Sequence, residues 1–390
     1  MTKDKALAAF EAALAACDPA ARVAAVAPKA TIGLAIGKAA LAMARGAHVE
    51  RGIIVSPIDG SVPGWQTIIS AHPHPDERSL EAGRAIRVLV DSATTDDTVL
   101  ALVSGGSSAL IEDPRIPLDE FVATARAVMA TGASIYELNL VRTALSSIKG
   151  GKLVERCAAP VTTLVASDLT NDALAFVGSG PTIGPWLEGN VEAGAHEDAI
   201  RLGAMGVLAK YGLPVPAILR TPIAPRTVTR VDHAELVLPM RAFADAFGAA
   251  LGMRVLDEPM TVGVSHVAKD LESRAPCVAW GEPTLHVPKH PGEGGRAQQL
   301  ALELAWLLRG SKRAAFVAGT DGVDGPPPER RIPPAGAFVD GNTWEKIVAV
   351  GIDPHQCLAK CDAGTALAAV GALIVTGPTG VNHADVAVIT

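Results

Sequence analysis

The feature that most constrains this chain is a unit that recurs along it: a short aliphatic run, a glycine turn, then a stretch with helical period. Thr31 to Ile36 is closed by Gly37 and followed by KAALAMARGA, with Lys38 expected to begin the helix. Thr98 to Val103 runs into SGGSSAL, and a helical period returns from Leu118 to Met129. In the last third, the helical stretch Arg296 to Leu308 precedes the strand-like Ala314 to Ala318 and the turn TDGVDG. Wholly apolar strands alternating with helices imply sheets covered on both faces, hence parallel-rich α/β domains. In such sheets ligands gather beyond the strand C-termini, where turns expose backbone N–H groups.

Ile53 to Val55, Thr67 to Ser70 and Pro160 to Ser167 read as further strands, and Glu77 to Leu89 as a helix. Ala234 to Gly252 reads as one helix. A chain of 390 residues exceeds one ordinary core, so two domains are expected, with the proline-rich stretch 212–227 as the boundary candidate.

Charge and composition exclude several classes. With 34 Lys plus Arg against 41 Asp plus Glu the net charge is −7, which offers polyanions no attraction; nucleic acid is not an expected partner. The apolar stretch Ala363 to Gly377 is too short for a membrane span, and Asp4 and Glu11 interrupt any secretory core at the N-terminus. Five cysteines without a CxxC pair suggest no disulfide framework, so a reducing cytoplasm is the expected location.

The turns carry the chemistry. Gly105 and Gly106 in SGGSSAL permit closely spaced N–H groups and Ser107 and Ser108 add donors, so the segment reads either as an anion-binding turn or as a plain one. The turn 178–182, with Gly180, leaves the same two readings. No GxxxxGK[ST] and no protein-kinase signature is present, which favours a metabolite substrate over a protein. Asp168 and Asp172 in SDLTND follow a strand and suit either magnesium contacts or an Asx-type turn. Asp321 and Asp324 repeat that choice in AGTDGVDG. Lys38 is either a point charge for phosphate or a solvated helix start, and Arg296 either a guanidinium aimed at an anion or an ordinary helix-start residue. Arg142, Lys149 and Lys152 form either a small anion-facing cluster or a solvated turn, and His72 and His74 read as structural or substrate-lining. His286 and His290 are not in an HExxH arrangement, and Cys357 with Cys361 reads as helix packing.

The ordered set AIGKAA at 35–40, AHPHPDE at 71–77, LVSGGSSAL at 102–110, LNLVRTALSSIKGGKL at 138–153, SDLTNDALAFVGSGPT at 167–182, EGGRAQQLALEL at 293–304, AGTDGVDGP at 318–326 and TGPTGVNHAD at 376–385 resembles the bacterial glycerate 2-kinase family. The resemblance implies ATP-dependent phosphorylation of D-glycerate at its 2-hydroxyl, with magnesium or another divalent cation. It also implies a large Rossmann-like N-terminal domain over 1–235, a smaller MOFRL-like α/β domain over 236–390, and an active site in the interdomain cleft. Carried over residue by residue, Lys38, Asp168 and Arg296 match the family's catalytic positions. Gly105, Gly106, Ser107, Ser108 and Gly180 of the glycine turns, with Asp321, are the candidate nucleotide contacts; Asp172, Asp321 and Asp324 match carboxylates of the family's motifs and are the candidate metal contacts. Departures occur at Ser107, where a third glycine is common in the family, and at Thr170-Asn171-Asp172. Some family members are named hydroxypyruvate reductases, so a nicotinamide-dependent reductase is the alternative, with a non-catalytic metabolite-binding protein as a third reading. A monomer and a homodimer both stay open.

Overall fold

A computed structural model of the chain describes residues 1–184, 191–228, 232–326 and 332–390. They form two compact units, one of Pro19–Pro239 and one of Met1–Asp18 with Met240–Thr390.

In chain order the first unit contributes β1 (Ala30–Ile36), β2 (Val49–Ser56), β3 (Trp65–Ile69), β4 (Val99–Ser104) and β5 (Val161–Ala166). The two-residue strands β6 (Val191–Glu192) and β7 (Thr227–Val228) form a separate antiparallel ribbon, and β8 (His233–Leu238) follows. Six strands make one sheet in the order β3-β2-β1-β4-β5-β8, every pairing parallel. This is the doubly wound order, in which the sheet reverses direction between β1 and β4. Ile32, Leu34 and Ile36 of β1 are fully buried and pack with Ala82, Ile86 and Val90 of helix Glu77–Asp91 on one face. Helices Leu118–Ala130, Ile135–Ala144 and Ala193–Lys210 build a second cluster around Phe121, Val141 and Leu208.

Two local expectations are corrected. The helix after β1 is short, Ala40–Arg45, so Lys38 stands in the turn ahead of it. Residues 233–238 are strand rather than helix: the segment pairs with β5 as the sheet's edge, and the helix is confined to Ala242–Leu251. An edge strand buried mainly on one face carries a weaker apolar signal than a central one, which lets the following alanine-rich helix dominate the sequence pattern.

The second unit holds β9 (Cys277–Gly281), β10 (Ala314–Gly319), β11 (Gly336–Asp340), β12 (Leu373–Ile374) and β13 (Asp385–Ile389) in the order β12-β11-β10-β13-β9. All its pairings are antiparallel, which corrects the expectation of a parallel-rich sheet. Both faces of this sheet are nonetheless covered, so its strands are as uniformly apolar as parallel ones. Helix Arg296–Leu308 lies on one face. On the other, Phe10 of helix Lys3–Ala16 meets Phe243, Phe247 and Phe316 with ring centroids 4.9–6.1 Å apart. That aromatic cluster is why Met1–Asp18 joins this unit instead of a continuous 1–235 domain, and the proline-rich stretch 212–227 lies within the other unit. Among the described residues no helix is long and apolar enough to cross a membrane.

Candidate active site

In the Pro19–Pro239 unit the turns after β1 and β4 interlock. The Lys38 N–H donates to the Gly105 carbonyl (2.9 Å) and the Ala39 N–H to Ser104 Oγ (3.1 Å). The Ser107 hydroxyl, fully buried, points at the carbonyls of Ile36 (2.8 Å) and Ser104, so it ties the two strand ends together and has no proton left for a ligand. Gly106 adopts φ 87°, a left-handed conformation that glycine tolerates without strain.

Both glycines are also required by close neighbours. A Cβ on Gly105 would lie 2.2 Å from Asp168 Oδ2, and one on Gly106 would lie 3.1 Å from His72 Cδ2 and 3.2 Å from Lys38 Cγ. The carboxylate after β5, the imidazole after β3 and the lysine after β1 therefore converge on one bare stretch of backbone. This convergence lies beyond the strand C-termini at the order reversal, where open α/β sheets bind ligands. His72, which the sequence leaves between a structural and a substrate-lining reading, comes to this turn by an approach to Gly106 that nothing in AHPHPDE announces.

His72 titrates at about 4, because burial disfavours the imidazolium and the neighbouring Lys38 charge and His74 add to that. It is neutral at neutral pH, so it offers a hydrogen bond and no charge. Asp172 sits in the turn after β5 with φ 50°, its N–H donating to the Leu169 carbonyl (3.0 Å). Gly180 lies in a loop packed behind the site. Its N–H donates to Val177 and its carbonyl accepts from Gly151 (2.7 Å), while a Cβ on the neighbouring Gly178 would meet Ser107 Cβ at 2.5 Å.

The basic cluster expected at 142–152 divides. Lys149 is 1% exposed and its Nζ lies 2.5 Å from Oε2 of the fully buried Glu112, so it faces no anion from outside. Lys152 Nζ donates to the carbonyls of Thr143 (2.7 Å) and Ser146, near the end of helix Ile135–Ala144. Arg142 alone turns to the site, its Nη1 donating to Ser108 Oγ (3.2 Å).

In the second unit Arg296 opens helix Arg296–Leu308. Its Nη1 reaches Glu282 Oε2 (3.2 Å), and its Nε stands 3.4 Å from Asp385 Oδ2, as an ion pair without a formed hydrogen bond. Asp324 holds that helix start. Its carboxylate accepts from the N–H groups of Ala297 (3.0 Å) and Gln298 (2.8 Å) and from Gln298 Nε2 (2.9 Å). Asp321 is exposed and accepts from the Val323 N–H (3.0 Å). Among the described residues no group of three or more His, Cys, Asp or Glu side chains is arranged to hold a metal ion.

Asp385 is pushed up to about 7 by burial, with Arg296 opposing and Asp324, Glu282 and Asp321 reinforcing the rise. The folded state thus holds a proton that the unfolded chain has released between about pH 4 and 7. Asp385 contributes stability that is fully present below the ordinary carboxylate value and is lost as pH rises towards 7. Carboxyl NMR is expected to show one Asp titrating near neutrality, and the signal should vanish in Asp385→Asn; a carboxyl fully ionised by pH 5 would contradict the burial.

Comparison with known proteins agrees with this architecture. A family model described as a domain of unknown function, DUF4147, matches residues 5–193, and the MOFRL family model matches residues 276–385. A D-glycerate 2-kinase of Thermotoga maritima is 34% identical over 386 residues, covering 90% of this chain and 88% of the relative. An Agrobacterium vitis protein provisionally named a hydroxypyruvate reductase is 32% identical, covering 97% and 92%. The crystal structure of a glycerate kinase from Thermotoga maritima superposes with a TM-score of 0.85 at 29% identity, covering 99% and 98%.

Proposed function

This chain belongs to the bacterial and archaeal glycerate 2-kinase family, and from that premise we propose that it transfers the terminal phosphoryl group of ATP to the 2-hydroxyl of D-glycerate, giving 2-phosphoglycerate and ADP. The observation that carries this reading to particular atoms is the convergence of Lys38, His72 and Asp168 on Gly105 and Gly106. Bare backbone admits a phosphate closely, a lysine supplies a point charge, and a carboxylate accepts a hydroxyl proton.

In the transfer, the substrate's 2-hydroxyl oxygen attacks the terminal phosphorus as the bond from that phosphorus to the bridging oxygen breaks, and ADP leaves with the bond's electrons. Asp168 accepts the hydrogen bond from the 2-hydroxyl, aligns it and takes up its proton. Lys38 and the N–H groups of the Gly105–Ser108 stretch balance charge on the phosphoryl oxygens, so positioning and electrostatics account for most of the acceleration. The family resemblance adds Arg296 as a further positive charge for the transfer. A fall in kcat for Arg296→Ala, with unchanged unfolding, tests that part.

Magnesium keeps water and substrate phosphate in most of its shell and needs only one or two protein carboxylates, so the lack of a protein-only cage among the described residues is compatible with its use. When bound it neutralises the ATP phosphate oxygens. Asp172 and Asp321 are the carboxylates assigned to it. Asp324, already accepting three hydrogen bonds, suits holding the Arg296 helix better.

The reductase name of the Agrobacterium relative supplies the competing reading. The turn after β1 reads Ile36-Gly37-Lys38 and lacks the GxGxxG pattern that seats a dinucleotide in this sheet order. Purified protein is expected to release ADP from magnesium-ATP only when D-glycerate is present, and to leave NADH and NADPH unoxidised with hydroxypyruvate. Hydroxypyruvate-dependent oxidation without ADP release would select the reductase.

A further inference from the structure

Helix Ile135–Ala144 begins at a capping box, in which Ser134 and Glu137 satisfy each other's backbone N–H groups, and it carries Arg142 in its last turn. Burial lowers the readiness of that guanidinium to hold its proton, and Glu112 opposes the effect. Glu112, however, is already engaged, with Lys149 Nζ 2.5 Å away and Ser146 Oγ donating to its other oxygen. The three groups Glu112, Lys149 and Arg142 together carry two positive charges and one negative. A surplus cation in a poorly solvated place calls for an anion. Among the described residues the one hydrogen bond of its guanidinium is to Ser108, in the short helix Ser107–Leu110 that follows the Gly105-Gly106 turn flanked by Asp168.

We propose that Arg142, with the Ser108 hydroxyl, recognises the carboxylate of the small-acid substrate; this rests on the kinase reading above. A planar two-oxygen anion matches the guanidinium fork better than it matches an ammonium. The neutral His72 cannot supply that charge. The order along the chain, from the Gly105-Gly106 turn into the helix that carries Ser108, also fits the molecule: a 2-hydroxy acid carries its reacting oxygen one carbon from its carboxylate. An acid anchored at Ser108 therefore presents its hydroxyl over Gly106 and Gly105 towards Asp168. Arg142 is then a specificity-determining residue that makes the site select 2-hydroxy acids over neutral alcohols.

The test is the division of effects between the two substrates. For Arg142→Gln, KM for D-glycerate is expected to rise about 100-fold, the scale of a lost charge-assisted pair, with KM for ATP moving less than about threefold. The wild-type preference for D-glycerate over neutral D-glyceramide is expected to collapse in the variant, a change that mere loosening of the helix would not produce. Should Arg142→Gln fail to fold, Arg142→Lys keeps the charge without the fork, and about a tenfold rise in KM for D-glycerate is expected. Unchanged KM for D-glycerate in the folded variant overturns the proposal. So does a parallel rise in KM for ATP, which would assign the guanidinium to nucleotide phosphate. The wild-type enzyme is assayed first; if it leaves D-glycerate untouched, the kinase reading itself has failed, and that failure is distinct from either variant result.

Discussion

Replacing Lys38 with alanine is expected to lower kcat about 1000-fold, the scale seen when a preorganised charge on a reacting oxygen is removed, while the thermal midpoint stays within about 1 °C of wild type. The side chain is exposed, and the position is held by its backbone N–H on Gly105, which alanine retains. Helix Ala40–Arg45 starts beyond it, so no helix is shortened. An independent signature accompanies the loss of rate. Lys38 is one of the charges that depress His72, so the imidazole is expected to titrate above its value of about 4 in Lys38→Ala. Full activity with an unmoved His72 would remove Lys38 from the site.

The largest loss of stability is expected from Lys149→Ala. It leaves the Glu112 carboxylate fully buried, with the Ser146 hydroxyl and the Asp113 N–H (3.0 Å) as hydrogen-bond donors and no ammonium at 2.5 Å. Breaking a buried pair in this way costs about 3–5 kcal/mol, whereas removing both charges is much milder. Lys149→Met combined with Glu112→Leu should therefore regain most of the stability lost in the single variant, a coupling that urea denaturation measures. A single-variant loss below about 1 kcal/mol would mean that water reaches the pair.

The first unit was legible in the sequence because its two central strands, β1 and β4, are almost entirely apolar and each ends on a glycine turn. β1 with Gly37 and β4 with Gly105 are found where the pattern places them, and so is Asp168 after β5. The second sheet's direction was not legible: Ala314–Gly319 is buried throughout, and an apolar strand covered on both faces reads alike in either orientation. Site details were hidden where the partner is distant along the chain. Lys149 looked like part of an anion-facing turn because Glu112 lies 37 residues away, and Asp324 looked like a metal ligand although the N–H groups it satisfies belong to residues 297 and 298. His72 joined the site only through the close approach of Gly106.

The most direct measurement is phosphorus NMR of the product formed from D-glycerate and magnesium-ATP, with spin coupling to the carbon-bound protons reporting the esterified position. Coupling to the single proton of C2, in a product accumulating in step with ADP, is the expected result. Phosphate on C3, or inorganic phosphate alone, would contradict transfer to the 2-hydroxyl where Lys38 and Asp168 meet the Gly105-Gly106 turn.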